Sequence, residues 1–350
     1  MTAPVTISVV GLGARARTWL QVIAANPDVR MGTLVDPSAD ARARASAAYP
    51  GVAVAPALEA AFLPRPDAVL FCTPPAGRAP QIEAACRARV AILAEKPLAD
   101  SLADAARFVA MAEDAGVPLI VGLNFRYLPV TQEMRRLLLT GAIGRPEFGR
   151  FLYERWRDGT LPHLNKYPLT MPHPMLWEQS VHHFDLMRFV YATDARRVFA
   201  DTFNPGWSMY AGDTNVSALF DFTNGIRVNY QGTWQGGLDR LDFDWRTDGP
   251  EGVIAQRSMF GDLAMARRTE GALSDIALPP HEPWITDAAA LLAGFVATLR
   301  GEAPECTGRD HLQSLAMLEA CIASSARGEP VWLEEYAALT GGASQERTSP

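Results

Sequence analysis

Val5-Thr6-Ile7-Ser8-Val9-Val10-Gly11-Leu12-Gly13-Ala14-Arg15-Ala16 is the stretch that decides the fold. An apolar, β-branched run ends in a tight glycine turn, and a helix-like segment follows. That order builds a dinucleotide-phosphate cradle. Gly11 lets the chain turn sharply, Gly13 lets backbone approach a pyrophosphate, and small Ala16 lets the helix pack on the strand. The helix start then offers free N–H groups and a positive dipole end to phosphate.

Outward from that turn, short apolar runs alternate with helical stretches. Strands are predicted at Val29–Val35, Ala68–Cys72, Val90–Ala94 and Leu119–Gly122. Helices are predicted at Ala14–Ala25, Pro37–Ala48, Pro80–Ala88 and from a Ser101 cap to Ala115. Strands separated by helices imply a parallel sheet covered on both faces. After Asn124 the pattern changes. A helix near 129–140 leads into an alternating run at Phe148–Arg157, and Trp177–Tyr191 is helical. From Arg197 to about Arg268 come successive strands with turn signals such as Asn204-Pro205-Gly206 and Thr223-Asn224-Gly225, which imply an antiparallel sheet. Helices at Ile285–Arg300 and His311–Arg327 close the chain, with Asp310 a candidate cap for the second. No internal repeat is visible. The expected division is 1–124, 125–335 and a polar, disordered tail over 336–350.

Composition narrows the function. At 350 residues the chain has room for about two domains. A hydrophobic fraction of 48% supports a sizeable core, and a net charge of −7 argues against a nucleic-acid partner. No apolar run approaches the ~20 residues of a membrane span, and a glycine turn follows the first run where a signal peptide would have its cleavage site. Cys72, Cys86, Cys306 and Cys321 form no CxxC pair and read as core thiols in a reducing compartment. A soluble, cytoplasmic protein without a metal is expected.

Three groups of residues carry chemistry. Asp36 lies 25 positions after Gly11, close to the ~20-residue offset of the acid that binds the adenosine ribose. A carboxylate there accepts from both ribose hydroxyls and repels a 2′-phosphate, favouring NAD over NADP without excluding it, since Arg42 and Arg44 are near. The alternative for Asp36 is a helix cap before Pro37. Glu95-Lys96-Pro97 ends a strand on the side where open α/β sheets bind ligands. Lys96 there can stabilise a developing alkoxide, or be a surface lysine. Glu178, His182 and Asp185 stand at i, i+4 and i+7 of one predicted helix and would share a face. Histidine is suited to shuttling a proton near neutral pH, and an acid one turn away can fix its tautomer. The alternative is a capping acid beside a core histidine. His183 points elsewhere and reads as structural. A metal on the Glu178/His182/Asp185 spacing lacks further ligands. Trp156, Trp177, Trp207, Trp234, Trp245 and Trp284 fall in the second part as core, interface or cleft residues. The segment Leu161–Pro174, with His163, Lys166, Tyr167 and His173, is a loop that could cover a cleft.

These motifs, with Thr73-Pro74-Pro75, Glu95-Lys96-Pro97-Leu98, Gly122-Leu123-Asn124-Phe125-Arg126-Tyr127, Gly141-Ala142-Ile143-Gly144 and His182-His183-Phe184-Asp185, resemble the Gfo/Idh/MocA family of oxidoreductases over roughly Val5 to Leu333. The resemblance implies an α/β protein: an N-terminal Rossmann domain, then a C-terminal α+β domain on an open, mainly antiparallel sheet that commonly forms a subunit interface, so a homodimer or homotetramer. It implies reversible hydride transfer between NAD(P) and a sugar or cyclitol. Lys96 would be the catalytic lysine, His182 the base, and Glu178 would replace an aspartate found in many members. Gly11, Gly13, Ala14, Arg15, Asp36, Thr73, Pro74, Glu95 and Lys96 are expected at the cofactor. Lys96, Arg126, Trp156, Glu178, His182 and Asp185 are expected at the substrate. Lys96 and His182 would converge on one alcohol oxygen. Where the family often has a histidine after the Thr-Pro-Pro turn, this chain has Ala76-Gly77-Arg78, and Arg78 would reach the cofactor or be solvated. Two other functions fit the same features: redox-assisted sugar elimination or glycoside cleavage with transiently reduced NAD, and a non-enzymatic NAD-binding sensor.

Overall fold

The computed structural model describes residues 3–162 and 164–341. The chain forms two compact units, Met1–Tyr127 with Glu282–Leu312, and Leu128–His281 with Gln313–Pro350. A linear cut at 124/125 therefore misses the return of Glu282–Leu312 to the first unit. That return has a physical reason. Apolar Leu291, Leu292, Phe295 and Val296 on the helix Thr286–Leu299 are buried, and this helix packs on Ala14–Ala25 and on the turn Asn124–Tyr127.

In the first unit, strands β1 (Val5–Val10), β2 (Val29–Val35), β3 (Val54–Ala55), β4 (Ala68–Phe71), β5 (Ala91–Ala94) and β6 (Leu119–Val121) lie in the order β3-β2-β1-β4-β5-β6. Every neighbouring pair is parallel. β4 is buried along its whole length, as a strand covered on both faces must be. The order reverses at β1, so the crevice beyond the carboxyl ends of β1 and β4 is the expected ligand position. Helices α1 (Ala14–Ala25), α2 (Ala39–Ala48), α3 (Ala79–Ala88) and α4 (Leu102–Asp114) form the crossovers. The Ser101 hydroxyl caps α4 by accepting from the Asp104 amide. α2 begins two residues later than predicted, because Ser38 takes the cap position and accepts from Ala41.

The second unit carries β7 (Phe148–Arg155), β8 (Ala195–Phe203), β9 (Asn215–Phe222), β10 (Arg227–Thr233), β11 (Leu241–Gly249), β12 (Gly252–Ser258), β13 (Gly261–Arg267), β14 (Ser274–Asp275) and β15 (Val331–Trp332), ordered β14-β13-β12-β11-β7-β10-β9-β8-β15. All pairs are antiparallel except β7 with β10. Alternation is clean: Val198 and Ala200 are buried, while Phe199 between them is 48% exposed. α5 (Pro129–Leu139) and α6 (Val181–Tyr191) pack against each other. α7 is Thr286–Leu299, and α8 (Gly308–Arg327) starts in the first unit and continues in the second. The Thr307 hydroxyl accepts from the Asp310 amide at the start of α8, so Asp310 is not the cap. The tail expected over 336–350 begins with structure instead: Ala337–Thr340 is a helical turn, α9. Residues 342–350, and His163, lie outside the described residues.

Candidate functional site

In the first unit the glycine turn has the predicted form. Gly11 has φ +87°, and a Cβ there would lie 3.0 Å from the Cys72 and Thr73 backbone. Only glycine tolerates both constraints. Gly13 differs: a Cβ there would meet nothing within 4 Å. It is the N-cap of α1, without a side-chain cap, and no acid stands in the first turn. The first N–H groups of α1 thus have no capping side chain at Gly13 to compete for them, as an anion site requires. Asp36 serves the turn. One carboxylate oxygen accepts from the Leu12 amide at 2.7 Å and the other from Ser38 at 2.8 Å, which leaves lone pairs on both. Arg42 is tied back to the carbonyls of Asp36 and Pro37. An uncapped helix start, open space above Gly13 and a carboxylate at the end of β2 together fit a dinucleotide.

The loop after β5 is pinned from below. Arg78 is 1% exposed and donates to the carbonyls of Glu95 (2.7 Å), Pro97 (2.7 Å) and Leu98 (3.0 Å), and also to that of Thr73. It neither projects to a ligand nor sits in solvent; it clamps the loops after β4 and β5 together. The buried Glu95 carboxylate accepts from Arg15 Nε (2.6 Å) and Trp19 Nε1 (2.5 Å). Arg15 reaches on to Asn124 (3.2 Å), which donates to Asp287. Its guanidinium lies 5.4 Å from the Trp19 ring and 5.3 Å from Trp284, so Trp284 belongs to the first unit. Arg15 and Glu95, both expected at the cofactor, spend their side chains on each other and thereby fix the backbone next to half-buried Lys96. The Thr73 hydroxyl donates to Gln81 at 2.7 Å, and Pro74 is exposed. Burial raises the Asp287 pKa, partly offset by its Asn124 hydrogen bond. Arg126, expected at the substrate, is buried in a 2.6 Å ion pair with Asp310. Its head is committed within the unit, and it positions the turn Asn124–Tyr127 on α8.

In the second unit the predicted helix Trp177–Tyr191 is two structures. Met175–Ser180 is a π-helical turn and α6 follows. Such turns recur at functional sites. The α spacing therefore holds for His182 and Asp185 but not across to Glu178. Glu178 accepts from the Tyr167 hydroxyl at 2.7 Å, a partner from the Leu161–Pro174 loop. His182 is 5% exposed. His183 is wholly buried: its Nδ1 is 2.9 Å from the Tyr230 hydroxyl, its Nε2 is 3.0 Å from Gln179, and its ring packs on Phe151 and Tyr153. Asp185 is buried with Ser314, which donates to it at 3.2 Å, and with Arg188. It is expected at the substrate; the structure gives it a role in holding α6 to α8. Trp156 is half-buried and bridges Gln235 through the backbone. Lys166 ties its own loop through Gly159 and Thr160 carbonyls.

Residues 5–123 match the model of the oxidoreductase family with an NAD-binding Rossmann fold, and 131–255 match the GFO/IDH/MocA C-terminal domain.

The chain belongs to the GFO/IDH/MocA family.

It is 31% identical over 271 residues to a D-apiose dehydrogenase of Paraburkholderia graminis, covering 73% of this chain and 70% of that protein. An inositol 2-dehydrogenase of Rhizobium meliloti is 28% identical over 92% of this chain and 97% of its own length. Among solved structures, an oxidoreductase from Agrobacterium radiobacter in complex with NAD+, L-tartaric acid and magnesium superposes with a TM-score of 0.86 at 22% identity, over 95% of this chain and 99% of that one. This GFO/IDH/MocA chain is thus an NAD-binding oxidoreductase with a parallel Rossmann sheet and a separate, mostly antiparallel sheet. Sequence reasoning missed the Arg78 clamp, the Trp19 N–H on Glu95, Asp287 and the Tyr167 hydroxyl on Glu178. Of these only Tyr167 carried a signal, as a polar residue in a proline-rich loop. Among the described residues no helix is long and apolar enough to cross a membrane.

Proposed function

We propose that this protein is an NAD-dependent dehydrogenase acting on a hydroxyl-bearing carbon of a sugar or cyclitol. The observation that carries this reading is the fixed placement of Lys96. The residue before it is held by Arg15, Trp19 and Arg78, at the end of a strand in a family Rossmann domain. The names of the relatives, D-apiose and inositol dehydrogenases, supply the substrate class. Bound NAD supplies a hydride acceptor. Lys96 donates to the substrate oxygen and favours its alkoxide character. His182 takes the hydroxyl proton. Glu178, itself oriented by Tyr167, orients His182 or a neighbouring hydroxyl.

His182→Ala and Lys96→Ala are each expected to lose at least ~10²-fold in kcat with NAD binding retained. Full turnover by either variant overturns the scheme. NADH accumulating in step with product is expected; product without NADH would replace net dehydrogenation with transient redox chemistry.

The same reading includes a homodimer or homotetramer formed through the second sheet. Its support is the outward row in which Phe199 pairs with Leu219, 48% and 40% exposed on neighbouring strands, an apolar patch of the kind that marks an interface. Cytoplasmic placement is the matching reading of the four cysteines, which are thiols.

A further inference from the structure

Two arginines in the second unit have no work in the mechanism above. β7 places Phe151, Tyr153 and Arg155 on one face, and Phe151 and Tyr153 both pack on the His183 ring. Arg155 is half-buried, and its register partner on β11 is Leu241. Arg157, two residues on, is also half-buried, with its guanidinium 3.9 Å from the centre of the Trp234 ring. Among the described residues neither guanidinium has a carboxylate within 4.0 Å. Acids on neighbouring segments have other partners. Asp158 accepts from the Thr160 amide and hydroxyl, Glu178 accepts from Tyr167, and Asp213 lies beside His173 and Thr202.

Two half-buried cations without counter-charge are costly unless a ligand supplies the charge. Stacking on Trp234 holds the Arg157 guanidinium flat and leaves its N–H edges for an acceptor. Trp234 is 1% exposed, and its side chain bonds to the Tyr153 hydroxyl. Tyr153 and Tyr210 flank the pair. Burial raises both hydroxyl pKa values, and both arginines partly offset that rise. Tyr153 also donates to Gln179, in the π turn beside Glu178.

The structure assigns to Arg155 and Arg157 the recognition of an anionic oxo group, a carboxylate or a phosphate ester, carried by the polyol substrate. This rests on the dehydrogenase reading and narrows its substrate to acidic or phosphorylated polyols. A bidentate guanidinium contact suits either anion.

The test is calorimetric titration of the NAD-loaded protein with D-gluconate, D-glucose 6-phosphate, D-glucose and myo-inositol. At least one anion is expected to bind about tenfold more tightly than the neutral probes, with an advantage that shrinks as salt rises. The gluconate and phosphate arms tell the two anions apart. Arg155→Gln and Arg157→Gln should erase the advantage and leave neutral binding and NAD affinity unchanged; Arg155→Lys should keep part of it. Circular dichroism checks that each variant is folded. Anions that bind no better than neutral polyols, or not at all, overturn the assignment. So do arginine variants that weaken neutral probes equally or weaken NAD. NADH formed from neutral polyols with no anion advantage leaves the dehydrogenase reading and removes this one. Arginine-dependent anion binding with no NADH from any polyol does the reverse.

Discussion

The two units hold their candidate residues by different physics. In the first, the loops beyond β4 and β5 have left the sheet and have no ladder to fix them. Buried charge replaces it: Arg78 gathers the carbonyls of Thr73, Glu95, Pro97 and Leu98, and Glu95 is held by Arg15 and Trp19. In the second, the π turn and α6 lie on an aromatic floor. Around His183 the ties are neutral: Ser180 and His183 meet the Tyr230 hydroxyl at 2.8 and 2.9 Å, and Gln179 joins His183 to Tyr153; buried charge returns only farther along α6, where Arg188 pairs with Asp194 at 2.6 Å and lies beside Asp185. A cation bonded to several carbonyls cannot be removed without orphaning them all. An aromatic floor loses one hydroxyl and keeps its packing. The loops beyond β4 and β5 should therefore be brittle to single polar substitutions, and the aromatic floor around His183 tolerant.

The sharpest way to break this contrast is Arg78→Met. Up to four buried carbonyls lose a charged donor, and a cost of about 3–5 kcal/mol is expected in denaturant unfolding. A loss below about 1 kcal/mol would mean that the loops are held by something else. Next comes Gly11→Ala, where positive φ and 3.0 Å contacts with the Cys72–Thr73 backbone act together. It should cost about 2–3 kcal/mol. Gly13→Ala is its control: stability should change by less than about 1 kcal/mol while the Kd for NAD rises at least tenfold, because the new methyl enters open space. In the second unit Tyr230→Phe removes one hydroxyl from Ser180 and His183 and should cost about 1–2 kcal/mol. A loss matching that of Arg78→Met would erase the contrast.

The smallest expected effect concerns Asp287, whose pKa is raised by burial from its ordinary 3.8. A carboxyl with a raised folded-state pKa favours the native state below its ordinary value. That contribution is lost as pH climbs through the raised one. Asp287→Asn should flatten the stability profile over that interval, read as a smaller drop in Tm from about pH 4 to pH 7. An unchanged profile would show that Asp287 is not the titrating group.

Much of this was legible in the primary structure. Val5–Val10 and Ala14–Ala25 appear with the bounds read from the residues, because strand, glycine turn and helix are local statements about φ, side-chain branching and capping. The same holds for the Ser101 cap. The candidate site was legible as residue types but less so as roles. Arg15, Glu95, Arg126 and Asp185 all read as ligand contacts, and all four have partners within their own unit. Nothing local could reveal this: Arg126 meets Asp310 across 184 positions, and Asp185 meets Ser314 across 129. The π turn escaped for another reason. Its residues, Met175–Ser180, suit an α-helix equally well, so nothing local marks the wider turn.

The amino-acid order alone determined the alternation of strand and helix, the dinucleotide turn and the acid after β2, since each rests on forces acting within a few residues. Tertiary structure alone decided which charged side chains are spent holding the protein together and which, such as Arg155 and Arg157, have no counter-ion among the described residues. A charge's role depends on whether an opposite charge or a carbonyl lies within a few ångströms, and only the folded chain sets that distance.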